Sequence, residues 1–430
     1  MPERHFGPEI VESGIGGDVV RDVKAATAII VGTFPVHEVY PVGADQAAYI
    51  NTSILIRRRA DAEAIFGPQR AGYTIPWLLD AIFDQDEGKG VGTIEVINVF
   101  DPAIHNDGGL PAIPDPAMVT NLDIIGAFDA AGEPSGLKHA YATYQRYGWF
   151  PKFVLAPGFS SLVGVRDEIE VICNKIKARA YVDAPAGVSV QDVVAARGPD
   201  GPFDLQTDSR RLIPCYPHME AVDTETPNAT RIEPYAPTLL GVHLRSIMQY
   251  GYHHSPSNRP IYGRKPSQKI LYVPGQSDDD TQLLRGAGVV TCEERYGKGP
   301  HTSGNRSAAF PTDTNMKNFI HVQMIADMLH EAIVFFLDEH KDRNASAAKL
   351  NYVEGLINSY GLAKTVGTDP ELLGFKFWFD RTKTTVQSYS DGHIFWQLRF
   401  MPVGLMEWLT VESAIDINLA GNALGLAEAA

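Results

Sequence analysis

Cysteine is scarce in this chain, three residues in 430. Cys173, Cys215 and Cys292 lie far apart and none belongs to a C-x-x-C pair. An odd number at such spacing excludes a disulfide framework and the usual zinc patterns, and it fits a reducing compartment. Cationic runs are short too. Arg57-Arg58-Arg59 is best read as a solvated strand end, and acidic residues outnumber basic ones 52 to 37, giving a net charge of −15. That balance repels nucleic acid and anionic lipid unless the fold gathers a basic patch. No stretch reaches the roughly eighteen uncharged apolar residues of a membrane span; the nearest, 319–337, carries Asp327, His330 and Glu331 and reads as a buried helix. The opening Met-Pro-Glu-Arg-His lacks the apolar run of a signal peptide. No internal repeat is present.

Catalytic signatures fail at specific positions. Val154 to Ser160 reads as a strand, a turn and a helix start, the form of a nucleophile elbow, but that motif needs glycine two residues after the serine and Leu162 stands there. Ser160 is read instead as an N-cap for the helix beginning near Leu162. His330-Glu331 opens a zincin-like pattern, yet Val334 occupies the position of the second histidine. His253-His254 sits in a Pro/Ser/Asn loop without neighbouring carboxylates and reads as surface histidine. Gly88-Lys89 and Gly297-Lys298 lack both the following Ser or Thr and the upstream glycine of a phosphate loop. Gly14-Ile15-Gly16-Gly17 follows no buried strand, as a dinucleotide site requires. Asp278-Asp279-Asp280 is explained by an acidic helix start. The expectation is no catalytic set, no cofactor and no metal site. The alternative is an α/β, hydrolase-like enzyme whose site is too degenerate for these tests.

What is present is a globular composition, 44% hydrophobic and 21% charged, at a length that suggests two or three packed units. Residues 1–24 are Gly-rich with strand-forming pieces, the pattern of a flexible arm. Strands are expected at 27–32, 53–57, 93–100, 152–156, 180–183 and 211–215. They alternate with helices at 60–66, 75–83, 115–125, 137–147, 162–179 and 190–197, which indicates an α/β layer fold. Residues 217–318 are rich in Pro, Gly, Ser and Asn, with helices expected at 238–250 and 278–284. Two helices follow at 319–339 and 345–360. Period-two alternation over Ile394 to Phe400 and again over Trp408 to Leu419, linked through Pro402 and Gly404, predicts a C-terminal β-hairpin or meander.

Several segments, in order, resemble the contractile tail sheath family of phages, phage-tail-like bacteriocins and related injection machines. They are Thr27-Ala28-Ile29-Ile30-Val31-Gly32 after the arm, Ile124-Ile125-Gly126 with Gly136-Leu137, and Phe150 to Gly158. Leu283 to Val289 follows, with Thr291 and Arg295, leading to Gly304-Asn305-Arg306. The long helix from Asn318 and the terminal strands around Pro402 and Trp408–Val411 complete the set.

The resemblance implies a multidomain α/β (α+β) structural protein, not an enzyme, with strand-helix core domains and a C-terminal hairpin domain that accepts strands from neighbours. It implies hexameric rings stacked helically around a tail tube protein, with baseplate and terminator proteins as further partners and neither nucleic acid nor membrane bound. The location implied is the virion tail, with assembly in the host cytoplasm. Expected segments are an arm at 1–24, a first part of the core at 25–100, an outer α/β domain at 101–216, a tube-proximal domain at 217–419 and a flexible extension at 420–430. Strand exchange is expected through Phe6, Ile10, Val11, Val19, Val20 and Val23 of the arm, and C-terminal pairing through Leu409, Val411, Ile415, Ile417 and Leu419. The helix at 345–360 is the chosen tube-facing element, with Lys349 and Lys364 as cationic contacts; ordinary exposed lysines are the alternative.

Overall fold

Short apolar, β-branched runs form the centre of the molecule. In the computed structural model, which describes residues 19–41, 44–199, 201–416 and 419, Thr27–Gly32 (β1), Ser53–Ile56 (β2), Thr93–Asn98 (β3) and Phe153–Leu155 (β4) make one sheet in the order β2-β3-β1-β4. β1 runs parallel to β3 and β4, and β2 closes the edge antiparallel. Every residue of β1, β3 and β4 is buried, as expected of parallel strands covered by helices on both faces. Ala180–Asp183 (β5) and Leu212–Cys215 (β6) form a parallel pair. The Val154 N–H donates to the Arg179 carbonyl at 2.9 Å, which attaches that pair to β4.

The Pro-rich stretch after 217 holds strands too short for the sequence to announce. Met219–Val222 (β7), Thr230–Glu233 (β8) and Lys265–Pro266 (β9) make a small antiparallel sheet, and Thr291–Arg295 (β10) pairs with Gly299–Ser303 (β11). The Val290 N–H donates to the Pro214 carbonyl at 2.8 Å, so this hairpin extends the row beyond β6. Helix Ala236–Tyr250 is buried along most of its length. Segment 115–125 is not one helix. Asp115 caps a 3₁₀ turn at Pro116–Met118, and Thr120 with Asp123 forms a separate capping box for Asn121–Ile125, which splits it.

Among the described residues two hydrophobic cores result. The first surrounds the sheet. The second gathers Val20 of the N-terminal segment with Ile325, Leu329, Ile333, Phe336, Val353, Ile357, Leu372, Phe375 and Phe377 from helices Ile320–Asp338 and Ala347–Ala363 and from Leu372–Phe379 (β12), which pairs antiparallel with Trp396–Pro402 (β13). The C-terminal hairpin therefore exists, but the partner of 396–402 is β12 rather than 409–419. Phe375 and Phe377 supply the buried face that Leu409 and Val411 lack, and a Cβ on Gly361 would lie 2.2 Å from the Phe375 ring, so only glycine lets the helix approach so closely. Residues 403–416 form no strand. Ile320–Asp338 is long and apolar enough to cross a membrane by length and composition; 67% of its apolar window is buried inside the fold.

That helix is tied to the sheet by buried charge. Lys152, Arg179 and Arg211 each immediately precede a parallel strand. Facing them, one helical turn apart, are Asp327 and Glu331. Asp327 accepts from Arg179 at 2.8 Å and from Arg211 at 3.0 Å, and Glu331 accepts from Lys152. Burial pulls the Lys152 and Arg179 pKa values down and pushes that of Glu331 up, against the attraction of the opposite charges. The structure thus places five ionisable groups at the junction of the two cores.

Candidate functional site at the junction of the chain ends

Ser160 does not cap a helix. Helix Val163–Ile176 starts after Leu162, and Ser160 is buried in the preceding turn. Asp279 does cap its helix, its side chain accepting from the Gln282 N–H at 2.8 Å. Cys173, Cys215 and Cys292 are free and buried, and burial pushes the thiols of Cys173 and Cys292 up to about 12. None of these groups builds a reactive centre.

The two motif segments Leu283–Val289 and Gly304–Arg306 converge instead on the start of the C-terminal tail. Arg197 ties the first to the chain just after the second, donating to the carbonyls of Ala287 at 3.0 Å and Phe310 at 3.3 Å. Gly304, at φ +117, turns the chain so that Asn305 reaches inward to His321 Nδ1 at 3.0 Å while Arg306 reaches outward. Arg306 lies over the rings of Phe310 and Phe319, 4.2 and 4.4 Å from their centroids, and donates to Glu407 at 2.5 Å. Arg285 reaches the same carboxylate at 3.3 Å. The motif thus clamps the tail at Glu407.

On either side of Glu407 the described apolar side chains of the tail are bare. Met406, Trp408, Leu409, Val411 and Ile415 are 84%, 89%, 73%, 88% and 104% exposed, and Leu419 is exposed as well. An apolar run left in solvent is the ordinary mark of a surface that meets a partner. Ile417 lies outside the described residues, as do Phe6, Ile10 and Val11 of the arm.

The end of the arm is fixed on the second core. Val20 is buried in it, Val23 packs against the first core and Val19 is exposed. Asp22 accepts from Tyr360 at 2.7 Å and pairs with Lys364 at 2.9 Å. Burial opposes the Asp22 carboxylate, and these two partners outweigh it, holding its pKa below the ordinary value. Lys364 also pairs with Glu371 at 3.1 Å, and the Glu371 carbonyl accepts from the Val403 N–H at 3.2 Å. Asp22, Lys364, Glu371 and Val403 therefore form a continuous relay between the arm and the tail.

Of the two chosen lysines, Lys364 is 9% exposed and committed to this relay, so it is no outward contact. Lys349 is half-buried above the Tyr352 ring. The surface reading of His253 and His254 also needs correction. The fold brings Asp369 to both, with Nε2 to Oδ2 distances of 3.3 and 2.7 Å. A carboxylate more than a hundred positions away gives no local signal. The acceptor role of Glu407 was hidden for the same reason, although the paired arginines of the two motif segments hinted at a shared anion.

The chain is similar to known tail sheath proteins. A tail sheath protein of Burkholderia phage BcepMu is 32% identical over 95% of this chain and 96% of its own length. A putative prophage major tail sheath protein of Pseudomonas aeruginosa is 25% identical over 85% of this chain and 86% of its own, and the tail sheath protein of Escherichia phage P2 is 25% identical over 98% of each. Among solved structures, the contracted sheath complex of the extracellular contractile injection system PVC has a TM-score of 0.66 over 97% of this chain and 99% of its own at 12% identity. The contracted helical sheath of the anti-feeding prophage scores 0.64 over 95% of this chain and 99% of its own at 14% identity, and a chain of that particle's six-fold symmetrised baseplate scores 0.64 over 96% and 100% at 13%. At such identities the structural likeness shows the fold alone. No family model matches the chain.

Proposed function

Because the chain belongs to the tail sheath protein family, we propose that its two anchored ends link subunits into stacked six-membered rings around a tail tube. It is a structural subunit of a contractile tail sheath rather than an enzyme. One observation carries the linkage reading: among the described residues the C-terminal sheet has two strands, β12 and β13, beside an exposed apolar tail. A two-stranded sheet is marginal by itself, and an extended segment from a neighbour that pairs with its edge gains ladder hydrogen bonds and side-chain register together.

In this reading the arm, 1–24, extends beyond its anchor at Val20 and Asp22, and the tail beyond its clamp at Glu407, to complete the sheets of neighbouring subunits. Residues 25–100 and 101–216 make the core and outer α/β units, 217–419 the tube-proximal unit and 420–430 a terminal extension. A head-to-tail interface that does not close produces a helical stack. Contraction is then a change between two packings of rigid bodies on persistent links, the compact one lower in free energy. It needs no nucleotide. The further partners are a tube, contacted through the surface around Lys349, a baseplate and a terminator, with assembly in the host cytoplasm. The six-fold symmetry of the baseplate containing one structural neighbour supports the ring size.

Negative-stain electron microscopy of the full chain beside residues 25–430 tests this. Hollow cylinders from the full chain and none from the truncation are expected, with tail tubes supplied as template where the chain alone stays dispersed. A full chain that neither assembles nor coats tubes defeats the proposal.

A further inference from the structure

We infer that His253, His254 and Asp369 form a binding site for one divalent transition-metal ion of the zinc, nickel or cobalt type. The site is independent of the assembly reading. Its three ligand atoms lie within 4.8 Å of one another. Adjacent histidines in extended chain point apart, but here the backbone curls after helix Ala236–Tyr250. Gly251 stands at φ +100, and the His254 N–H returns to the Gly251 carbonyl at 3.3 Å. The two imidazoles then lie side by side with centroids 4.4 Å apart and both Nε2 atoms facing Asp369 Oδ2.

The surroundings hold the rings in place. The His253 ring fills the space a Cβ on Gly251 would need, at 2.7 Å, and packs edge-on against Tyr252. His254 leans on Tyr250 at 5.7 Å between centroids. With zinc bonds of about 2.0–2.2 Å to nitrogen and oxygen, tetrahedral ligands sit roughly 3.3–3.6 Å apart. The His253–Asp369 distance of 3.3 Å meets this already. The His254–Asp369 distance of 2.7 Å opens by rotation of Asp369, whose side chain is 60% exposed. Two imidazoles and one carboxylate favour borderline transition ions over magnesium or calcium, which prefer all-oxygen sites. The fourth position is open to water.

The ion would join the loop after helix Ala236–Tyr250 to the loop that leads into β12, two residues from Glu371 of the relay. The test is isothermal titration of zinc chloride into the untagged full chain after chelator treatment, repeated with His254→Ala and Asp369→Asn. Cobalt substitution would be read by its visible absorption. One equivalent per chain, weakened at least ten-fold in either variant while circular dichroism stays unchanged, is expected. So is zinc-dependent protection of His253 and His254 from diethyl pyrocarbonate in the unaltered chain, a readout that needs no variant to fold. No binding, or binding that both variants retain with no protection of these histidines, overturns the assignment and leaves a histidine–aspartate hydrogen-bonded cluster.

Discussion

Asp327→Asn removes one charge from the junction of the two cores and hardly alters its shape. Two guanidiniums depend on that carboxylate, and the side chains of Arg179, Arg211 and Asp327 are only 3%, 9% and 2% exposed. An amide keeps one acceptor oxygen, sets an NH2 donor where the second carboxylate oxygen accepted from Arg211, and neutralises neither arginine. Removing one partner from a buried ion pair costs about 3–5 kcal/mol, because the charge left behind stays desolvated. At about 1.4 kcal/mol per factor of ten, the folded-to-unfolded ratio falls by two to nearly four orders of magnitude. Urea unfolding of the dispersed subunit measures this through the midpoint at constant slope. Adding Arg211→Met should restore part of the loss, since it removes one of the stranded cations, with a coupling energy of about 1–3 kcal/mol. Lys152→Met with Glu331→Leu, which swaps a whole pair for apolar packing, should be far milder than either change alone. A variant Asp327→Asn within about 1 kcal/mol of the unaltered chain, or one that does not couple to Arg211→Met, would show that water or relaxation already solvates this cluster and that the burial argument is wrong.

Arg306→Ala removes the tail clamp. The lost charge-assisted bonds to Glu407 and two cation–π contacts amount to about 2–3 kcal/mol, and the tail after 403 should become cleavable by protease at least ten times faster, while Arg306→Lys recovers only part. His139 sets a pH dependence. Burial first, and the Arg146 charge second, lower its pKa to about 4, with Nε2–H donating to the Asn51 carbonyl at 3.1 Å and Nδ1 accepting from Arg146 at 2.7 Å. The unfolded chain takes up that proton near pH 6.5 and the folded chain only near 4. The contribution is therefore present above pH 6.5 and lost as pH falls toward 4, by at most about 3 kcal/mol. His139→Gln should flatten that part of the stability curve, and equal slopes in the two proteins would refute the assignment.

The parallel strands were legible because burial on both faces leaves an unbroken apolar signature, as in Thr27–Gly32 and Ala180–Asp183. Helices with apolar stripes, such as Ile75–Phe83 and Ile320–Asp338, were legible too. Strands β7 to β11 were not, being two to five residues long and polar, with partners fixed by tertiary contact. β12 did carry a signal, the alternation of Phe375, Phe377 and Phe379 with Lys376 and Trp378. The register shift between Leu372 and Gly374 breaks that period at its start. The terminal alternation at 408–419 predicts a strand of the same chain, but among its described residues Leu409, Val411, Ile415 and Leu419 are exposed rather than packed in a core. Family membership was legible from short ordered motifs. The reason those motifs exist was not, since Arg285 and Arg306 act on a glutamate about a hundred residues downstream.

The relay from Asp22 through Lys364 and Glu371 to Val403 fixes where mechanical load enters. A pull applied between arm and tail would meet this relay and the Glu407 clamp before it reached the parallel sheet. Under the proposed linkage, loops of the α/β units that touch neither contact could vary while the four residues of the relay keep their grip.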